Sequence, residues 1–394
     1  MQDEQLVSNL RKKHRFSRLA ALKQLASAEN FETETNKKAN FNFHCRTEYS
    51  CFDSTPSLSA YKLMKNGFPV TAIVDYASLS GAKELMKAEK ILGGVYYIGT
   101  EVDVVDESGR ERKMLSVGIP HKNVKSFNFD LFFYRKLQND FTDELLAKLN
   151  SRFKKYDINV ATPARTFFKT TSTEDVFACL ANALIEKFVS AEAITEFLTD
   201  KLGITLSESD EKRLEDTANT FYAVDLAAAL YKNYKMKLPA RKCKSAKEFV
   251  SASDSHGGIS VLVLSGETPK DIAEALDFAA KNNVKSVIFD IDKVSSGFDA
   301  EDFYGKCLAA GILPLARMVC DYPKKKLVHE FKDEKTAELF RETTFAVIGH
   351  EITASLNVKD GMFSERSTEN TPDLKDRIRL FSRIGLKGSD INAL

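Results

Sequence analysis

Apolar positions along this chain recur with two spacings. Short apolar runs of strand length alternate with longer stretches in which apolar residues return every three or four positions, the pattern of helices packed on a sheet. NFHC (42–45) reads as a short strand, PVTAIVD (69–75) as an apolar, β-branched strand and VYYIGTEVDVV (95–105) as a longer one. The turn ESGR (107–110) folds that strand back through KMLSVGIP (113–120). Helices are expected over 57–66, 81–92 and, mostly amphipathic, 137–156, with Gly67 and Gly93–Gly94 ending the first two. Residues 5–28 carry Leu6, Leu10, Leu19, Leu22 and Leu25 at helical spacing with basic residues between, and read as one helix packed outside the main domain.

From 173 to 235 the strand pattern stops. Ser172 followed by Asp175, and Ser207 before an acidic turn, look like helix N-caps, and the region reads as an all-helical insertion. Alternation resumes with the strand ISVLVLS (259–265), a helix opened by Thr268 and Pro269, the strand KSVIFDI (285–291), a helix over 299–311 and the strand ILPLARMV (312–319). Residues 337–348 read as helix and 358–394 as less regular. Strands alternating with helices imply a largely parallel α/β sheet with right-handed crossovers, open or closed into a barrel.

Composition narrows the function classes. With 57 basic and 56 acidic residues the net charge is +1, which offers no global attraction for nucleic acid or an anionic membrane, so neither is an expected partner. The leading segment lacks the apolar core of a signal peptide, and no apolar run is long enough to span a bilayer. Six scattered cysteines without a CxxC pair fit a reducing, cytoplasmic setting. Phosphate loops of the Walker A and GxGxxG kinds are missing, as are GxSxG and HExxH, so a dinucleotide-dependent oxidoreductase is excluded on sequence grounds.

Candidate chemistry gathers at three strand ends: Asn42-Phe43-His44-Cys45-Arg46-Thr47-Glu48-Tyr49-Ser50-Cys51-Phe52-Asp53, then Ile73-Val74-Asp75-Tyr76 through Gly81, then Ile98-Gly99-Thr100-Glu101. In order and spacing these segments resemble the opening of the PHP (polymerase and histidinol phosphatase) family, whose segments take the forms D-x-H-x-H-T-x-x-S-D, T-D-H-D-x-x-x-G and G-x-E. The stretch Phe345 to Glu351, then Asp360 to Ser364, looks like a branch of that family with a similar helical insertion. The resemblance implies a distorted (β/α)7 barrel, metal ligands at the carboxyl ends of the strands, and phosphoester hydrolysis on two or three divalent ions.

Departures from that pattern redirect the expectation. Asn42 stands for the leading aspartate, Arg46 for the second histidine and Tyr76 for the histidine of the second segment, while His44, Asp75 and Glu101 persist. A later strand end reads Arg317-Met318-Val319-Cys320-Asp321, where an acidic ligand is expected before Pro323, and Thr162 to Phe168 lacks a histidine. A guanidinium has no lone pair for a metal and repels one. Arg46 is therefore expected within about 4 Å of Glu101, replacing the missing cation. Two readings of function follow. In the first, the chain is a divergent homologue with weak or no hydrolase activity that binds a small phosphorylated or anionic molecule through Arg46, Arg165 and Arg317. In the alternative, it is an active phosphoesterase holding one divalent metal (Zn, Mn or Mg) on His44, Glu101, Asp75 and His121. The residues leave open whether it is an enzyme and whether any metal binds.

Other signals carry less. Ser253-Asp254-Ser255-His256 reads as a helix end, His350 as core or interface, and Lys324–Lys326 as solvated loop. Asp290 and Asp292 share one face of a strand end and suit either a carboxyl-face site or a helix cap. The domain expectation is a helix over 1–38, barrel over 39–172 and 236–394, and the insertion over 173–235.

Overall fold

The computed structural model describes all residues except 1, 30–42, 51–53, 69, 164–168, 217–218, 220–221, 235–237, 292–293, 296, 321–333 and 392–394. Asn42, Asp53, Arg165, Asp292, Asp321 and the 324–326 lysines therefore lie outside the described residues.

Among the described residues eight strands are formed: β1 (Phe43–Cys45), β2 (Val70–Tyr76), β3 (Val95–Val105), β4 (Glu111–Val117), β5 (Lys244–Ser245), β6 (Ile259–Val263), β7 (Ser286–Asp290) and β8 (Leu313–Cys320). The order β2-β1-β8-β7-β6-β4-β3, with β2 pairing back on β3, closes seven of them into a barrel. All neighbours are parallel except β4, which is antiparallel to β3 and β6; β5 adds two residues to the far end of β3. The hairpin return was legible in the ESGR turn, and it makes this a distorted barrel, surrounded by helices.

The elements follow their local chemistry. Thr55 accepts from the Leu58 N–H and Pro56 occupies the first turn of helix Pro56–Lys65. Thr268 and Asp271 form a reciprocal cap at the start of helix Pro269–Asn282. Gly93, at φ +73°, ends helix Ala82–Leu92 in the left-handed conformation that glycine adopts without strain.

Two expectations are corrected. The 5–28 segment is two helices, Gln2–Asn9 and Arg15–Glu29, because buried Arg18 donates to the carbonyls of Lys12 (2.7 Å) and Lys13 (3.1 Å) and holds the intervening turn. The 358–394 tail is mostly helical, with an 18-residue helix Leu374–Ile391 whose Leu374, Ile378 and Phe381 pack into a core shared with β2, β3 and helix Glu334–Leu356.

The chain forms two compact units, Met1–Tyr134 with Cys243–Leu394, and Arg135–Lys242. The second is helical and has its own core, including Leu145, Leu149, Phe153, Phe177, Leu180, Leu184 and Leu230. Its Ser172 cap pairs reciprocally with Asp175, and Ser207 accepts from the Asp210 N–H. Helix Phe132–Phe153 was assigned with the barrel from its pattern, yet its Leu145, Leu149 and Phe153 are buried in the helical unit's core. Among the described residues, no helix is long and apolar enough to cross a membrane.

Candidate functional site

Strand alternation sorts the site residues by face. The register pairs His44 with Ala72, Tyr76 with Glu101, Asp103 with Lys113, and Asp290 with Arg317. Their side chains meet inside the carboxyl end of the barrel. Glu101, 1% exposed, is the hub: Arg46 Nη2 lies 2.6 Å from its Oε1, Lys113 Nζ 2.7 Å from the same oxygen, and Arg317 Nη1 3.1 Å from its Oε2. Lys113 also reaches Asp103 at 3.6 Å, and Arg317 Nε bonds the Asp290 carboxylate. Tyr76 donates to Asp103 at 3.2 Å. Three cations thus face three carboxylates.

The electrostatics follow from burial and pairing. Burial by itself raises the Glu101 carboxyl, but Arg46, Lys113 and Arg317 more than reverse this and hold it well below the usual carboxylate range. Burial, then the charge of Arg317, holds the His44 imidazole well below its ordinary value, so it is neutral. Its Nε2 lies 2.5 Å from the Tyr97 hydroxyl and its Nδ1 3.4 Å from Arg317 Nη1. The arrangement that satisfies all three has Nδ1 accepting from the guanidinium and Nε2–H donating to Tyr97.

Asp75 stands apart. It pairs in register with Thr100, one residue out of phase with Glu101, and so occupies the opposite face of the sheet. Its oxygens accept from the Thr47 N–H (2.6 Å), the Thr47 hydroxyl (2.7 Å) and the Ser50 hydroxyl (2.6 Å). Burial raises its carboxyl, and these donors offset part of the rise. Asp75 thereby anchors the loop that carries Arg46. His121 is farther away still. It follows antiparallel β4, bonds Glu351 at 3.0 Å and stacks on Tyr96. Tyr96 precedes Glu101 by five residues of β3, ~16 Å at strand rise. The four residues grouped as metal ligands thus divide: His44 and Glu101 share the barrel interior, and Asp75 and His121 lie elsewhere. Of the three arginines grouped for an anion, Arg46 and Arg317 converge on Glu101, and Arg165 is outside the described residues.

A cation needs lone pairs that converge on one point. Both Glu101 oxygens and both His44 nitrogens are engaged within the protein, and three fixed positive charges surround the place a metal would take. The described residues do not fit a metal here. Among them, no group of three His, Cys, Asp or Glu side chains is arranged to hold one. The expected contact of Arg46 with Glu101 is present; Lys113, Asp103 and Tyr97 were not singled out from the sequence. The observed hairpin register, with Val105 opposite Glu111, sets Lys113 opposite Asp103 and diagonal to Glu101, whereas the four-residue turn read at 107–110 would have set Lys113 opposite Val104.

The remaining motif residues have structural partners. His256 ends helix Ala246–Ser255, bonds Asp130 at 2.7 Å and stacks on Phe127. His350 is 4% exposed and joins Gly257 to Met362.

No family model and no curated protein sequence matches the chain. Solved structures with a similar fold include a protein assigned as a metal-dependent phosphoesterase from Bifidobacterium adolescentis, 15% identical over 77% of this chain and 95% of that one, with a TM-score of 0.50. Another is an amidohydrolase from Chromobacterium violaceum, holding sulfate and no metal, 14% identical over 74% of this chain and 90% of that one, with a TM-score of 0.46. At 15% identity the likeness to the first concerns the fold alone.

Proposed function

We propose that this chain is a divergent PHP-like barrel in which a built-in ion network replaces the metal centre, and that it binds a small phosphorylated or anionic molecule without hydrolysing it. The observation that carries this reading is the Glu101 carboxylate, held by three protein cations. Hydrolysis of the kind implied by the name of the Bifidobacterium protein needs ligand lone pairs that this cluster has turned to other uses.

The ligand class follows from which cations are reachable. Arg317 is buried at 2% side-chain exposure, whereas Arg46 and Lys113 are partly exposed at 20% and 37%. Arg46 and Lys113 are thus the two cations of the cluster that a phosphate or carboxylate arriving at the barrel mouth reaches. Because the local charges balance three against three, affinity for a bare anion should be modest, and the rest of the ligand supplies specificity.

The test combines metal analysis, thermal shift and turnover. Inorganic phosphate at millimolar concentration should raise the melting temperature of the wild-type protein, and Lys113→Gln and Arg46→Lys should each reduce that rise by at least half. No hydrolysis of a generic phosphomonoester should appear with added manganese or zinc. Stoichiometric metal, with turnover abolished by Glu101→Gln, would overturn the proposal in favour of a reduced metal site on His44 and Glu101.

A further inference from the structure

A second charged feature lies on helices Gln2–Asn9 and Arg15–Glu29. The turn joining them reads Arg11-Lys12-Lys13-His14, and the second helix opens with Arg15-Phe16. Arg11, Lys12, Lys13 and His14 are exposed, and Phe16 is 75% exposed with the Arg15 guanidinium 5.6 Å from its ring centre. The display is held from beneath. Arg18, 2% exposed, draws the carbonyls of Lys12 and Lys13 inward and is itself fixed by Glu84, at 2.8 Å from Nε, and by Glu48, at 3.1 Å. Thr55 Oγ1 likewise donates to the Leu10 carbonyl. With the backbone turned in, the basic side chains project outward from an ordered turn.

We propose that this turn docks the protein on an anionic lipid surface, with Phe16 entering the headgroup boundary and the flanking cations meeting lipid phosphates and carboxylates. Charge complementarity selects a polyanion, and the exposed phenyl ring selects lipid. At the acyl boundary the whole ring leaves water, whereas stacking on a base would cover a single face of it. The whole-chain charge of +1 supplies no long-range attraction, so the contact rests on this local patch, which at physiological salt is felt only within about 8 Å. Each basic residue at such a surface contributes about fivefold in affinity.

Co-sedimentation of the full chain with vesicles tests this. Phosphatidylcholine vesicles doped with phosphatidylserine should bind the protein, pure phosphatidylcholine should not, and binding should weaken as salt rises. Combining Lys12→Gln and Lys13→Gln should lower the affinity for doped vesicles roughly 25-fold. Phe16→Ser should weaken binding several-fold without changing its dependence on salt. As all three side chains are exposed, the variants should melt at the wild-type temperature. Equal binding to both vesicle types, or binding that ignores these substitutions, would overturn the proposal. So would tighter binding of a single-stranded oligonucleotide through the same residues, which would assign the patch to nucleic acid.

Discussion

Glu101 shows what a single residue can demand of a fold. A carboxylate buried at 1% exposure must be answered by charge, and here the answer comes from three strands besides its own surroundings: Arg46 after β1, Lys113 on β4 and Arg317 on β8. Only the first was foreseeable from the motif. His350 makes the same point for a neutral group. Its Nδ1 accepts the Met362 N–H at 2.9 Å and its Nε2 lies 2.9 Å from the Gly257 carbonyl, so the neutral ring is satisfied on both sides. Burial takes this imidazole down to about 4. In the unfolded chain it titrates near 6.5, so between those values the unfolded state binds more protons, and stability falls as pH drops through that window. The expected loss by pH 4 is ~3 kcal/mol. Urea denaturation at pH 7, 5.5 and 4 should show a steeper acid loss for wild type than for His350→Gln; parallel curves would clear His350 of the effect.

At the scale of elements, close approach between helices explains an error of reading. The 358–394 tail was read as less regular although Leu374, Ile378 and Phe381 repeat at helical spacing, and Gly385 and Gly388 lie inside its helix. Their absent side chains are what let helix Leu374–Ile391 lie against helix Glu334–Leu356. A Cβ on Gly349 would sit 1.9 Å from the Phe381 carbonyl oxygen, and one on Gly385 would sit 2.1 Å from that of Phe345. Gly349→Ala should therefore cost about 3 kcal/mol by forcing the helices apart. Gly305→Ala, in helix Ala300–Ala309 with nothing within 4 Å of the new methyl, should be neutral or stabilise by up to ~1 kcal/mol. Chemical denaturation of the pair checks this: equal stabilities would refute the packing argument.

For the whole molecule, separate cores imply separate cooperativity. The Arg135–Lys242 unit has its own hydrophobic cluster, so thermal unfolding followed by calorimetry should resolve into two transitions or give a van't Hoff enthalpy below the calorimetric one. Phe153→Ala, at a fully buried site of that cluster, should lower one transition by several degrees and leave the other in place. A single transition that shifts as a whole would show that the units unfold together. The helical character of 173–235 was plain from its spacing and caps. That 135–172 packs with it was not, because an amphipathic helix shows that it has a buried face but not which core receives it.

Local chemistry along the chain was enough to determine the barrel strands, most of the helices around them, the hairpin and the helix caps; that an imidazole was expected where Arg46 stands came from the family resemblance alone. These depend on periodicity, turn residues and neighbours within a few positions. Closure of β8 onto β1 and the arrival of Arg317 beside Glu101, 216 residues away in sequence, were decided only by the tertiary structure, as were the separation of Asp75 and His121 from the cluster and the division into two cores. Such pairings depend on strand order and on the face each register exposes. Both are set by packing the whole sheet at once, and a one-residue shift in register reverses the face.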